Sequence, residues 1–141
     1  MARKRQIKGA SKVRRKILRM PEAIQDQVKA AISRGADEVL FEMQKTVPVS
    51  TDVHFSREHL QQALERRISK NGLSARVGLL GIKAHRLYFF WKFLEFGTRK
   101  MTKRPFAFPS WRKVRPKIRR DVRNAVVRGF QVVARSNLPD V

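Results

Sequence analysis

One carboxylate stands in the most aromatic stretch of the chain. Glu95 lies within residues 87–109, LYFFWKFLEFGTRKMTKRPFAFP, where most of the nine Phe, two Trp and one Tyr are concentrated. An ionised carboxylate among so many rings needs a cation or several hydrogen-bond donors beside it. Arg99 and Arg104 are the nearest candidates by sequence. That arrangement is a fastener of the fold or of an interface, not an acid catalyst. His54 and His59 are five apart, which suits no usual ligand spacing, and no Cys or carboxylate cluster joins them. They read as ordinary surface histidines. No nucleophile–base pair, paired carboxylates or phosphate-cradling glycine loop is present, so neither catalysis, nor a cofactor, nor a metal is expected.

The second chemistry the residues offer is electrostatic. The formal net charge is +22 in 141 residues, and it is unevenly placed. Residues 22–65 carry eight acids against four bases, a net of −4, which leaves +26 on the remainder. Segregation of this size implies a polyanion or an acidic protein surface as partner. The candidate contacts are Arg3, Lys4, Arg5, Lys8, Arg14, Arg15 and Lys16 at the N-terminus, with Lys117 and Arg120 near the C-terminus. Residues 1–20 read as a basic arm, flexible until bound. Residues 21–141 read as one domain, with enough apolar content for a core. There are no cysteines, which suits a reducing compartment. The apolar run 87–91 is too short to span a bilayer, and the basic N-terminus lacks the apolar stretch of a secretory signal.

The elements that must position these groups follow from periodicity. Pro21 at a first helical position opens a helix over 21–46, with Ile24, Val28, Ala31, Ile32, Val39, Leu40 and Met43 as its apolar stripe. Gly35 weakens it locally and Pro48 stops it. Residues 48–59 read as a loop. Asn71-Gly72 between two apolar runs predicts a hairpin pairing 64–70 with 73–80, preceded by a helical turn.

The aromatic run reads as a helix ended by Gly97 in a left-handed conformation. Tyr88, Lys92, Glu95 and Arg99 would form a polar stripe, with Phe89, Phe93 and Phe96 on one flank and Leu87, Phe90, Trp91 and Leu94 on the other. One flank can be covered by the chain's own core and the other by a neighbouring subunit, or core can cover both. Pro105 to Pro109 then predicts a stiff extended segment presenting Phe106 and Phe108. A last, basic helix starts at about Ser110 or Pro116 and runs to Arg135. Its expected buried face is Trp111, Val114, Ile118, Val122, Val126, Gly129 and Val133, and Pro116 must start it or kink it. The fold class expected is α+β, with a long N-terminal and a basic C-terminal helix packed on a small antiparallel sheet.

The constellation Glu95-Phe96-Gly97-Thr98, a short basic loop, then Arg104-Pro105-Phe106 with Pro109 beyond resembles the neck proteins of long-tailed bacteriophages. These are the head–tail joining or tail-completion proteins, related to tail terminators. The wider layout agrees over roughly residues 20–135: an N-terminal helix, a Val47-Pro48-Val49 exit, a hairpin ending Ala75-Arg76-Val77-Gly78, and a C-terminal helix. In one place the chain departs, carrying Ser50-Thr51-Asp52 where members have an Asp-Thr-Gly-x-Leu type turn. The resemblance implies a non-enzymatic structural protein of the virion neck, assembled in the host cytoplasm. Its copies would form a ring between head and tail with double-stranded DNA passing through, beside head-connector and tail proteins. The aromatic helix has more apolar surface than one small core can cover, so the subunit contacts expected are Phe89, Trp91, Phe93, Glu95, Phe96, Gly97, Thr98, Arg104, Pro105, Phe106 and Phe108. A second reading, resting on the charge, is a monomeric nucleic-acid-binding protein. Base-stacking proteins interleave aromatics with cations on a sheet, whereas these aromatics are contiguous on a helix.

Overall fold

Pro21 decides where the first long helix can begin. In the computed structural model, which describes residues 11, 15, 17–48, 57–81 and 89–136, helix α1 spans Glu22–Thr46 and Pro21 stands just outside it as the N-cap. The expected first helical position is therefore one residue too early. The Pro21 carbonyl accepts the Ile24 and Gln25 N–H groups. Val47 caps the other end, donating its N–H to the Met43 carbonyl at 3.0 Å. Of the predicted stripe, Ile24, Val28, Ala31, Val39 and Met43 are buried, while Ile32 and Leu40 are half-buried.

A short helix α2 (Arg57–Ala63) follows. The expected loop over 48–59 is therefore too long at its end, because Arg57 to His59 are already helical; the buried Leu60 and Leu64 reward that extra turn. Residues 49–56, with His54 and the Ser50-Thr51-Asp52 departure, lie outside the described residues. Strands β1 (Glu65–Ile68) and β2 (Ala75–Gly78) form a two-stranded antiparallel sheet, pairing Glu65 with Gly78 and Ile68 with Ala75. That is the register an Asn71-Gly72 turn imposes. The strands are shorter than expected because side chains take over the turn. Ser69 Oγ donates to Asn71 Oδ1 at 2.5 Å, Asn71 Oδ1 also accepts the Leu73 N–H, and Ser69 Oγ accepts the Ser74 N–H. Gly72 supplies the positive φ of 69°.

Beyond the hairpin come α3 (Trp91–Phe96) and α4 (Ala107–Ser136). The architecture is α+β: α1 and α4 pack along their lengths, and the hairpin lies against α1. Contacts order the long pair as antiparallel, since Ile24 meets Gly129, Gly35 meets Ile118, and Thr46 meets Ser110. A Cβ on Gly129 would fall 2.7 Å from the Ile24 Cα, so the glycine is what lets the two backbones approach. Lys113 donates to Glu42 at 2.8 Å and Lys117 to Glu38 at 2.6 Å along the same seam. Arg66 of the hairpin pairs with Asp37.

Helix α4 departs from expectation in three ways. It starts at Ala107, so Phe108 and Pro109 belong to its first turn and not to an extended segment. Of the two alternatives expected at Pro116, the helix start is contradicted, because helix runs on both sides of it. On the buried face, Ala125 is fully buried while Trp111 is 41% exposed. Close backbone approach at Gly129 favours small residues at that end of the seam, whereas Trp111, near the other end of α4, lines the cleft beside the hairpin. The main core gathers Val39, Met43, Leu60, Leu64, Phe106 and Val114, with Phe90, Trp91 and Leu94 packed against it.

Candidate functional site

The corner between α3 and α4 is built around Glu95. Helix α3 is shorter than the expected aromatic helix, since Phe89 and Phe90 form a turn before it and Leu87 lies outside the described residues. The two flanks still separate: Phe90, Trp91 and Leu94 face the core, while Phe89, Phe93 and Phe96 are exposed. The polar stripe does not form. Tyr88 lies outside the described residues, Arg99 falls beyond the end of the helix, and Glu95 is buried at 3% exposure while Lys92 is exposed. Neither Arg99 nor Arg104 pairs with Glu95. The carboxylate instead accepts three backbone N–H groups, with Phe106 and Ala107 on Oε2 at 2.9 and 3.0 Å and Phe108 on Oε1 at 2.9 Å. These are the first amides of α4, which have no carbonyl one turn earlier to bond. The next residue is Pro109, which has no N–H, and the first intrahelical bond is made by Ser110 to the Phe106 carbonyl. One carboxylate and one proline thus account for every orphan donor at the start of α4, and the negative charge meets the positive end of the helix dipole. Residues 107–110 are helical for this reason, despite a sequence that looks extended.

The remaining motif residues serve the same corner. Gly97 ends α3 with φ 74° and ψ 176°, not the left-handed cap expected but a region open essentially to glycine alone. Its N–H donates to the Phe93 carbonyl at 2.8 Å, and a Cβ there would meet the Lys103 nitrogen and the Met101 oxygen at 3.1 Å. Thr98 Oγ1 accepts the Lys100 and Met101 N–H groups, and the Arg104 N–H returns to the Leu94 carbonyl at 2.7 Å. Phe106, 1% exposed, anchors the loop in the core. Of the residues expected at subunit contacts, Trp91, Glu95 and Phe106 therefore face this chain's own interior. Trp91 carries its buried Nε1–H there without an acceptor among the described residues.

What is left outside is apolar and large. Phe89, Phe96 and Phe108 are 59%, 64% and 53% exposed, and Phe93 also reaches solvent. The Phe89 and Phe93 rings meet edge-to-face with centroids 6.0 Å apart, as do Phe96 and Phe108. Lys92, Arg99, Lys100, Lys103, Arg104 and Pro105 are exposed around them. A cleft of about 440 Å³ opens separately, between α1, α4 and the hairpin. Its lining, including Ile32, Val39, Leu73, Val77 and Trp111, carries no titratable group.

The predicted polyanion contacts divide. Arg3, Lys4, Arg5, Lys8, Arg14 and Lys16 lie outside the described residues, and Arg15 is exposed. Lys117 is paired with Glu38, whose hydrogen bond and charge raise its pKa. Likewise the hydrogen bond from Lys113 holds Glu42 below the usual carboxylate range. Arg120 is exposed and makes no ion pair among the described residues. Sequence reasoning missed that several acids of the −4 segment are taken up by the chain's own α4 and hairpin. The signal was present as the Glu38, Glu42 spacing on α1 against Lys113, Lys117 on α4, both one helical turn.

No group of His and acidic residues suited to a metal occurs among the described residues, and no described helix is long and apolar enough to cross a membrane. Residues 11–97, more than half of the chain, match the family described as "Bacteriophage HK97-gp10, putative tail-component", and the chain belongs to that family. It is a phage tail component, a structural protein consistent with the head–tail joining group that the Glu95 to Phe106 pattern resembles. The match takes in Glu95, Phe96 and Gly97 but ends before Arg104-Pro105-Phe106. Neither the curated proteins nor the solved structures contain a match to the chain.

Proposed function

We propose that the chain is a non-enzymatic subunit of the phage neck, a ring that joins the DNA-filled head to the tail. Copies meet through the exposed aromatic face at the α3–α4 corner, with DNA passing through the lumen and connector and tail proteins above and below. The observation that carries this reading is the cluster Phe89, Phe93, Phe96 and Phe108, left in solvent on a corner whose backbone is rigidly fastened. Contiguous exposed apolar surface of this kind marks an association site. The fastening keeps the cost of ordering it on assembly small. Exposed Thr98, Arg104 and Pro105 at its edge, with the half-buried Gly97, are the proposed polar rim.

Replacing Phe89 and Phe96 together with Ser leaves the core untouched and tests the reading. The expected result is wild-type thermal stability, loss of oligomer by native mass measurement, and loss of head–tail joining in an assembly extract. A wild type that is monomeric within intact particles, or a double variant that joins them normally, would reject it. A monomer that only binds nucleic acid is the competing outcome.

A further inference from the structure

The lysines and arginines of α4 are sorted by face. Both of its lysines, Lys113 and Lys117, lie along the α1 seam and are paired with Glu42 and Glu38. Arg112, Arg115, Arg119 and Arg123 recur at i, i+3, i+7 and i+11, which places them on one face. That face is turned away from the buried Val114, Ala125 and Gly129, and all four arginines are exposed. None of them makes an ion pair among the described residues, and the one acid of the helix, Asp121, lies on the half-buried side.

We infer that this outer arginine face of α4 is a contact surface for the phosphate backbone of duplex DNA. Two features favour phosphate over an acidic protein, the lack of an apolar centre and the length of the row. The central part of the face carries no large apolar side chain that could form the dry centre of a protein interface; the exposed Phe108 and Phe130 lie at its two ends. Its cations are arginines, whose planar forks grip phosphate and carboxylate oxygens alike, while lysines are kept for the internal pairs. From Arg112 to Arg123 the rise of about 1.5 Å per residue gives a ribbon of about 17 Å. Along such a length a duplex presents a phosphate charge about every 1.7 Å. The inference rests on the neck reading for the identity of the polyanion, not for the existence of the surface.

The test compares two variants of the full chain with equal charge removed. One replaces Arg112, Arg115, Arg119 and Arg123 with Gln; the other replaces the exposed Lys70, Arg76, Lys100 and Lys103 with Gln. Binding to a random-sequence duplex is measured across a salt series, with poly-L-glutamate as second probe and circular dichroism confirming helix content. The arginine variant should flatten the slope of log affinity against log salt by roughly 3–4, since each phosphate contact contributes about 0.9. The control should flatten it by much less. A third variant with Lys at the four positions keeps the charge and should keep the slope, which holds the test open should the Gln variant fold poorly. Equal flattening in the Gln variants, or none in either, overturns the inference. So does loss of poly-L-glutamate binding with an unchanged DNA slope, which assigns the face to an acidic protein. Native mass of the same samples reads ring formation independently, so a monomeric protein with the expected slopes would sink the neck reading and leave the arginine surface standing.

Discussion

The two places where α4 is held to the rest of the chain are built in opposite ways. Along the α1 seam many modest contacts act together, from small residues in close approach to aliphatic side chains and two exposed Lys–Glu pairs. At the α3–α4 corner a single carboxylate gathers three backbone donors in a site 3% exposed. The seam can lose one side-chain contact and persist. The corner cannot, because no neighbour duplicates Glu95. Interfaces that must hold their shape while tolerating variation are built like the seam, and features that must be all or none are built like the corner.

The sharpest way to break the comparison is Glu95→Ala. It strands three buried or half-buried amides, and charge-assisted bonds of this kind are worth about 1.5–3 kcal/mol each without full additivity. The expected loss is about 3–5 kcal/mol, read from chemical denaturation, with residues 107–110 losing amide protection first. Glu95→Gln should cost about half as much, since its oxygen can replace Oε2 toward Phe106 and Ala107 while its NH₂ opposes Phe108. Equal losses would show that charge and not acceptor count holds the corner.

Within the seam, two glycines make a matched pair. Gly129→Ala drives a Cβ against backbone at 2.7 Å and should cost about 1–3 kcal/mol despite the better helix propensity of alanine. Gly35→Ala meets only the Ile118 side chain at 3.1–3.3 Å. A small rotamer shift can absorb that, so the change should fall within about 1 kcal/mol of neutral. Denaturation midpoints that moved equally would mean the seam tightens around side chains and not around backbones.

The smallest effect expected is on pH. Glu42 has a folded pKa below its unfolded one, so its stabilisation is present above the unfolded value and lost as pH falls through the folded one. Lys117 has a raised folded pKa, so its stabilisation is present below the unfolded value and lost as pH rises through the raised one. Stability should therefore be flat across neutral pH with slight declines at both extremes, each shrinking with salt because both pairs face solvent. Glu42→Gln should remove the acid decline only.

Much of the architecture could be read from local pattern, because local pattern caused it. Asn71-Gly72 sets the hairpin register, and the two flanks of α3 separate as 3.6-residue spacing requires. The start of α4 was illegible for the converse reason. Pro-Phe-Ala-Phe-Pro looks extended until a carboxylate eleven residues upstream of Phe106 folds back onto it. The identity of Glu95 as a fastener was readable from its aromatic setting, whereas its partners were not: backbone amides leave no mark in a sequence. Trp111 misled because size suggests burial, while the seam was shaped by Ala125 and Gly129.

Pro109 has an effect that reaches past the fold. The opening turn of a helix is ordinarily a place where amides and dipole together grip an anion. Here Glu95 occupies three of those amides and Pro109 abolishes the fourth. A nucleic acid running beside α4 would find no amide cradle to lodge a phosphate in. It would touch long, mobile guanidinium chains instead, each readily handed from one phosphate to the next. The proposed DNA path, lined this way, would attract its cargo without detaining it.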